Sequence, residues 1–167
     1  MAEKSTHMTR RLSEAREAII SDEVHGEIGF LHSLLCQLNL PYRNPGDDVR
    51  HFERSSGTKT MRLEAGAVFH PSEGFIDVGL PFGPRARLIL LHVCSLAIKQ
   101  QSKIIEVSRS FTKFCSELGV KTNGRNMNTI RDQLQRMSAV KMMLGDLSDE
   151  GNPVQFQGMV FDSIRAE

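Results

Sequence analysis

Cysteine is scarce here, and the three present are an odd number: Cys36, Cys94 and Cys115 lie far apart, each among apolar neighbours. A disulfide framework wants an even count in a short secreted chain, so buried reduced thiols in the cytoplasm are expected. Long apolar runs are also missing. The longest, residues 88–98, contains His92 and is far too short to span a bilayer. The basic residues Lys4, Arg10 and Arg11 are not followed by the apolar run of a signal peptide. Charge of one sign is lacking too: the formal net charge is +1 over 167 residues. Any surface for phosphates must therefore arise from local clustering rather than from summed charge.

Reaction chemistry has few footholds. No glycine loop ends in Lys-Ser or Lys-Thr, and no Gly-x-Ser-x-Gly turn occurs. His25 and His32 are seven apart, but no carboxylate or thiol pair completes a metal site at recognised spacing. The acidic pairs Asp47-Asp48 and Asp149-Glu150 fall in turns, where solvation explains them. The expectation is a protein that is not an enzyme and carries no metal or cofactor.

What is present is a sequence of elements. Residues 9–20 place Leu12, Ala15, Ile19 and Ile20 at helical spacing. A second apolar face follows at Ile28, Leu31, Leu34, Leu35 and Leu38 and stops at Pro41. These stripes bury against the domain or against another subunit, and the second is the candidate dimer interface. Residues 42–58 are rich in Arg, Gly, Asp and Ser and read as an ordered arm. Met61, Leu63 and Ala65 alternate with polar residues as in a strand that Val68 and Phe69 extend. A turn at residues 70–74 leads to a return strand with Phe75, Ile76 and Val78, making a β-hairpin.

Pro84 suits the first position of a helix over residues 85–101, whose apolar residues wrap nearly around it and predict extensive burial. Ile104, Ile105 and Val107 predict a short strand. Ser108 or Ser110 can cap a helix to Leu118, which Gly119 ends. A turn at residues 122–124 precedes a helix from Arg125 to about Ser138, followed by strands near residues 139–147 and 154–164. That order predicts an α+β fold: a winged helix-turn-helix with an N-terminal helical extension and an additional β-hairpin. The divisions are residues 1–40 for the extension, 41–83 for the arm and hairpin, and 84–167 for the winged-helix module. Residues 41–167 would form one compact domain.

The helix from Arg125 carries Met127, Ile130, Leu134 and Met137 on one side and Arg125, Asn128, Thr129, Asp132, Gln135 and Arg136 on the other. Asn and Gln pair bidentately with adenine, and Arg with guanine, in the major groove. Lys121, Thr122 and Asn126 near the helix start can reach phosphate. Arg131 on the flank could serve either purpose, and Arg43 and Arg54 are further phosphate candidates. The same polar face is also what any solvated helix displays, and Asp132 with Arg136 has the spacing of a surface ion pair. A carboxylate at Asp132 would repel phosphate. So would the wing tip, where Asp146, Asp149 and Glu150 occur with no Lys or Arg between Gly145 and Pro153.

Leu40-Pro41-Tyr42-Arg43 with its polar arm resembles the plasmid-encoded RepA replication-initiator family. So do Gly79-Leu80-Pro81-Phe82-Gly83, Phe111 through Gly119, Gly124, and Ile130-Arg131-Asp132-Gln133-Leu134. The likeness runs from about Leu38 to Ile164. It implies a winged-helix protein that binds repeated double-stranded DNA sites at a plasmid origin, with the Arg125 helix as counterpart of a recognition helix. It also implies recruitment of host replication proteins without a catalytic residue or cofactor. Family members usually continue past the wing, and for an N-terminal module of a longer initiator the acidic wing and near-neutral net charge suit a dimerisation role. The alternatives are a homodimeric protein-interaction module and a winged-helix transcriptional regulator.

Overall fold

The computed structural model describes residues 38–101, 104, 105, 108, 110–147 and 154–161. The two expected N-terminal helices lie outside the described residues, as do Ile28, Leu31, Leu34 and Leu35, Val107, Asp149 and Glu150. Described in chain order are strands β1 (His51–Ser56), β2 (Lys59–Glu64), β3 (Ala67–His70) and β4 (Gly74–Asp77). Helices α1 (Gly83–Gln100), α2 (Phe111–Glu117) and α3 (Gly124–Ala139) follow, and then β5 (Lys141–Asp146) and β6 (Val154–Met159). The architecture is mixed α+β with antiparallel sheets.

Four strands form one sheet in the order β1-β2-β5-β6, and β3 and β4 form a separate hairpin. The register places Met61 opposite Leu144 and Leu63 opposite Met142, so these side chains share one face. Met61 and Leu63 are completely buried there, beneath Ile89 of α1 and Ile130 and Met137 of α3. The central pairing joins strands from either side of the helices.

The arm expected over residues 42–58 is in part strand β1. Its alternation is weak because an edge strand of sequence His-Phe-Glu-Arg-Ser-Ser has only Phe52 to bury. The expected extension of β2 through Val68 and Phe69 is broken at Gly66. A Cβ on Gly66 would come within 2.3 Å of the Ala139 carbonyl oxygen at the end of α3, so the chain turns out of the sheet there. Arg50 clamps the base of the new hairpin, donating to Val78 O at 2.9 Å, Ala65 O at 2.9 Å and Gly66 O at 3.0 Å. On that hairpin Phe69 and Phe75 stand opposite each other, both exposed, with rings edge to face at 5.5 Å.

Three further expectations are corrected. Ile104 and Ile105 belong to no strand, and Ile104 is 81% exposed. Helix α1 buries Ala86, Ile89 and Leu90 but leaves Leu88 and Ile98 exposed, because the sheet and α3 cover one side of it. Leu38, expected on the dimer face, has 0% exposure and packs in the core of its own chain, so it has no surface to give a second subunit.

The helix ends are set locally. Ser110 caps α2 by accepting from Lys113 N at 3.2 Å. Gly119, at φ +67°, closes it, with Gly119 N donating to Ser116 O and Val120 N to Cys115 O. Asn123 caps α3 by accepting from Asn126 N at 2.9 Å. Among the described residues no helix is long and apolar enough to cross a membrane.

Two glycine substitutions separate backbone crowding from backbone freedom. Gly66→Ala should lower stability in denaturant melts by about 1–3 kcal/mol, because a main-chain carbonyl must move to admit the methyl. Gly124→Ala, in open space at the first turn of α3, should be neutral or stabilising by up to about 1 kcal/mol.

Candidate nucleic-acid interface

Helix α3 is fixed in rotation by two apolar and two polar anchors. Ile130 and Met137 are fully buried, as the stripe required, and the polar Gln133 and Arg136 are buried beside them. Gln133 Oε1 accepts from the backbone N–H of Phe82 at 2.8 Å, while its Nε2 donates to Asp132 Oδ2 at 2.9 Å. That Phe82 N–H lies at the entry to α1, whose N-cap has no side-chain hydrogen bond of its own.

Arg136 corrects the expectation that it faces bases. Only 9% exposed, it donates through Nε to both oxygens of Asp132 at 2.9 and 3.0 Å. Its Nη1 lies 2.9 Å from Asp47 Oδ1 and 3.4 Å from Leu80 O. The guanidinium also sits over the Phe82 ring, 5.3 Å from its centroid. Burial alone would lower its pKa, but the hydrogen bonds and charges of Asp132 and Asp47 outweigh burial and hold it above its ordinary value. The loop before α1 makes room: a Cβ on Gly79 would fall 2.2 Å from Arg136 Nη1.

This network changes the status of Asp132. Both of its oxygens are engaged by Arg136 and Gln133, so a counter-charge sits beside the carboxylate that was expected to repel phosphate.

Two other expected contact residues are committed within the fold. Asn126 accepts from Arg85 Nη2 at 2.6 Å and donates to Lys121 O at 2.9 Å. Its amide therefore bolts the start of α3 to α1 rather than facing phosphate. The Thr129 hydroxyl donates back to Arg125 O at 2.9 Å. The remaining expected residues, Lys121, Thr122, Arg125, Asn128, Arg131 and Gln135, are all exposed. At 100° per residue Arg125, Asn128 and Gln135 form one stripe, with Arg131 on its flank and Lys121 and Thr122 at its head. Arg43 is exposed in the arm, and Arg54 is half-buried on β1.

Arg131 is held by a contact that helical periodicity does not reveal. Its guanidinium lies over the Phe111 ring of α2 at 4.8 Å and donates to Asn128 Oδ1 at 3.1 Å. Stacking and hydrogen bonding reduce the freedom that a planar five-donor group would lose on meeting a base edge. The neighbouring thiol of Cys115 is fully buried. Burial pushes that thiol up, against a smaller opposing pull from Arg131. Cys94 is also free, and burial raises it too.

Gln133 and Phe82 had a readable signal: a glutamine between Ile130 and Met137 interrupts an apolar seam and must find a buried partner. Asp47, Gly79 and Arg85 had none, since their contacts depend on tertiary placement. Among the described residues no group of three or more His, Cys, Asp or Glu side chains could hold a metal ion.

No protein-family model matches the chain, and no curated protein matches it. Among solved structures, domains 2 and 3 of RctB align with 77% of this chain and 45% of that one. The identity is 13% and the TM-score 0.43, and this chain spans less than half of that chain's length. A likeness so distant carries no functional argument.

Arg136→Met keeps most of the volume but removes the buried donor shared by Asp132, Asp47 and Leu80 O. Denaturant melts should show a loss of about 1–3 kcal/mol. Gln135→Ala, on the open stripe, should stay within about 0.5 kcal/mol of the parent.

Proposed function

We propose that this chain is a winged-helix DNA-binding protein that initiates plasmid replication at origin repeats. The observation that carries the reading is the open stripe of α3, with Arg125, Asn128, Arg131 and Gln135 presented outward and the Asp132 charge paired beside them. In this reading α3 enters a major groove. Asn128 and Gln135 offer the amide pair that matches adenine, and Arg125 and Arg131 the fork that matches guanine. Lys121 and Thr122, at the head of the helix, take phosphate and set the register.

The plasmid role draws on the RepA-family motifs. Repeats at an origin would be bound by several copies, and opening would come from recruitment and remodelling, without a catalytic residue or cofactor in this chain. Homodimer formation and contact with host replication proteins belong to the same reading. A winged-helix transcriptional regulator would use the same stripe, and the identity of the bound site separates the two. A homodimeric interaction module is the reading favoured if DNA is not bound. The exposed Phe69–Phe75 pair is the described surface that suits it.

Fluorescence anisotropy on labelled origin repeats, across a salt series, tests the proposal. Affinity should fall steeply with salt, with a log–log slope near −0.9 for each phosphate neutralised. Asn128→Ala should cost about 1–3 kcal/mol on the cognate repeat and relax preference at one base pair. Lys121→Ala should weaken all sequences alike and make the slope shallower by about one. Absence of binding at low salt by the folded protein would overturn the reading.

A further inference from the structure

A wing that follows a duplex backbone should be basic, yet the connection between β5 and β6 carries no Lys or Arg from Gly145 to Pro153. The sheet order places another turn beside it. Strand β2 pairs with β5 along its whole length, ending with Lys59 opposite Asp146. The β1–β2 turn is tied to that end of the sheet: Leu147 N donates to Thr58 O at 3.0 Å, and Thr58 Oγ1 to Asp146 Oδ1 at 3.2 Å.

The composition of this second turn is the reverse of its neighbour's. From Arg54 to Thr60 the chain reads Arg-Ser-Ser-Gly-Thr-Lys-Thr, with two cations, four hydroxyls and no acid. Ser55, Ser56, Gly57 and Thr58 are exposed, and Gly57, at φ +60°, supplies the tight bend. The pairing of Arg54 with Met61 puts Arg54 and Lys59 on the helix-covered side of the sheet. The Arg54 guanidinium is held over the Phe52 ring at 5.4 Å. On the opposite side Arg62 is matched by Glu64 at 3.0 Å and Glu53 at 4.0 Å.

Length agrees with a role beside α3. Strand β5 leaves the end of α3 and covers about 17 Å before it reaches the turn, at about 3.4 Å per residue. Half a turn of B-form DNA is also about 17 Å. A turn carried that far from a helix in the major groove is within reach of the backbone flanking it.

We infer that the β1–β2 turn is a second phosphate-contacting element, which grips the DNA backbone flanking the bases that α3 reads. Arg54 and Lys59 supply charge, Ser56 on the same side supplies a hydroxyl donor, and the acidic β5–β6 connection stays off the duplex. Asp146, opposite Lys59, accepts from Thr58, and Arg54 with Lys59 outnumber it on that side of the sheet. The inference deepens the α3 reading and rests on it.

The test is a salt series on the full chain with a labelled mixed-sequence duplex of about three helical turns. Wild type, Arg54→Gln/Lys59→Gln and Lys59→Gln alone are compared after each is shown to melt like the parent. The double variant should lose at least about tenfold in affinity near 100 mM salt, and its log–log slope should become shallower by about two. The single variant should lose about one unit of slope. A merely structural role for the turn would leave the slope unchanged. Wild-type binding with unchanged slopes in both variants overturns the second element while sparing α3. Failure of the wild type to bind at all overturns both.

Discussion

A single guanidinium determines which way α3 faces. Arg136 is enclosed by Asp132 on its own helix, Asp47 of the arm, Leu80 O and the Phe82 ring. With Gln133 bonded to Phe82 N, it locks the arm, the entry to α1 and α3 into one arrangement. Only the guanidinium is buried while its carboxylates reach solvent, and its desolvation consumes most of the Coulombic gain, so these pairs return little net stability. Their directional demands are strict, however. Turning α3 by one residue would move Arg136 away from Asp47, Leu80 O and the Phe82 ring and would bring Gln135 inward. The network therefore fixes the open stripe of α3, since other rotations break the Arg136 contacts to Asp47, Leu80 O and Phe82 and the Gln133–Phe82 bond.

Local pattern and tertiary context divided the legibility of this fold unevenly. The extents of α2 and α3 follow from Ser110, Gly119, Asn123 and the apolar stripe, all of which act within a few residues. Strand β1 was illegible because an edge strand with one buried side chain has almost no alternation to read. The break at Gly66 depends on the carbonyl of Ala139, more than seventy residues away, and no local signal announces it. Pairing of β2 with β5 is equally non-local, and it is what sets the basic β1–β2 turn beside the acidic connection.

The site was half legible for the same reason. Periodicity separates Met127, Ile130, Leu134 and Met137 from Arg125, Asn128 and Gln135 without help. It assigns Arg136 to the polar side because it cannot know that residues 79–82 and Asp47 roof the last turns of α3. The grouped motifs now have a physical connection: Gly79 leaves space for Arg136, Phe82 accepts its charge on a ring face, and Gln133 bonds the Phe82 amide. Residues far apart in the chain belong together because they enclose one buried cation and its partners.

The central claim, that the fold turns one face of α3 toward DNA and keeps Arg136 behind it, is tested most directly by side-chain NMR during titration with duplex. The account predicts that the amide signals of Asn128 and Gln135 and the Nε–H signals of Arg125 and Arg131 shift with added DNA. The Arg136 Nε–H should stay in place, protected from exchange throughout. Shifts confined to the hairpin or the outer face of the sheet, with the α3 side chains unmoved, would contradict it.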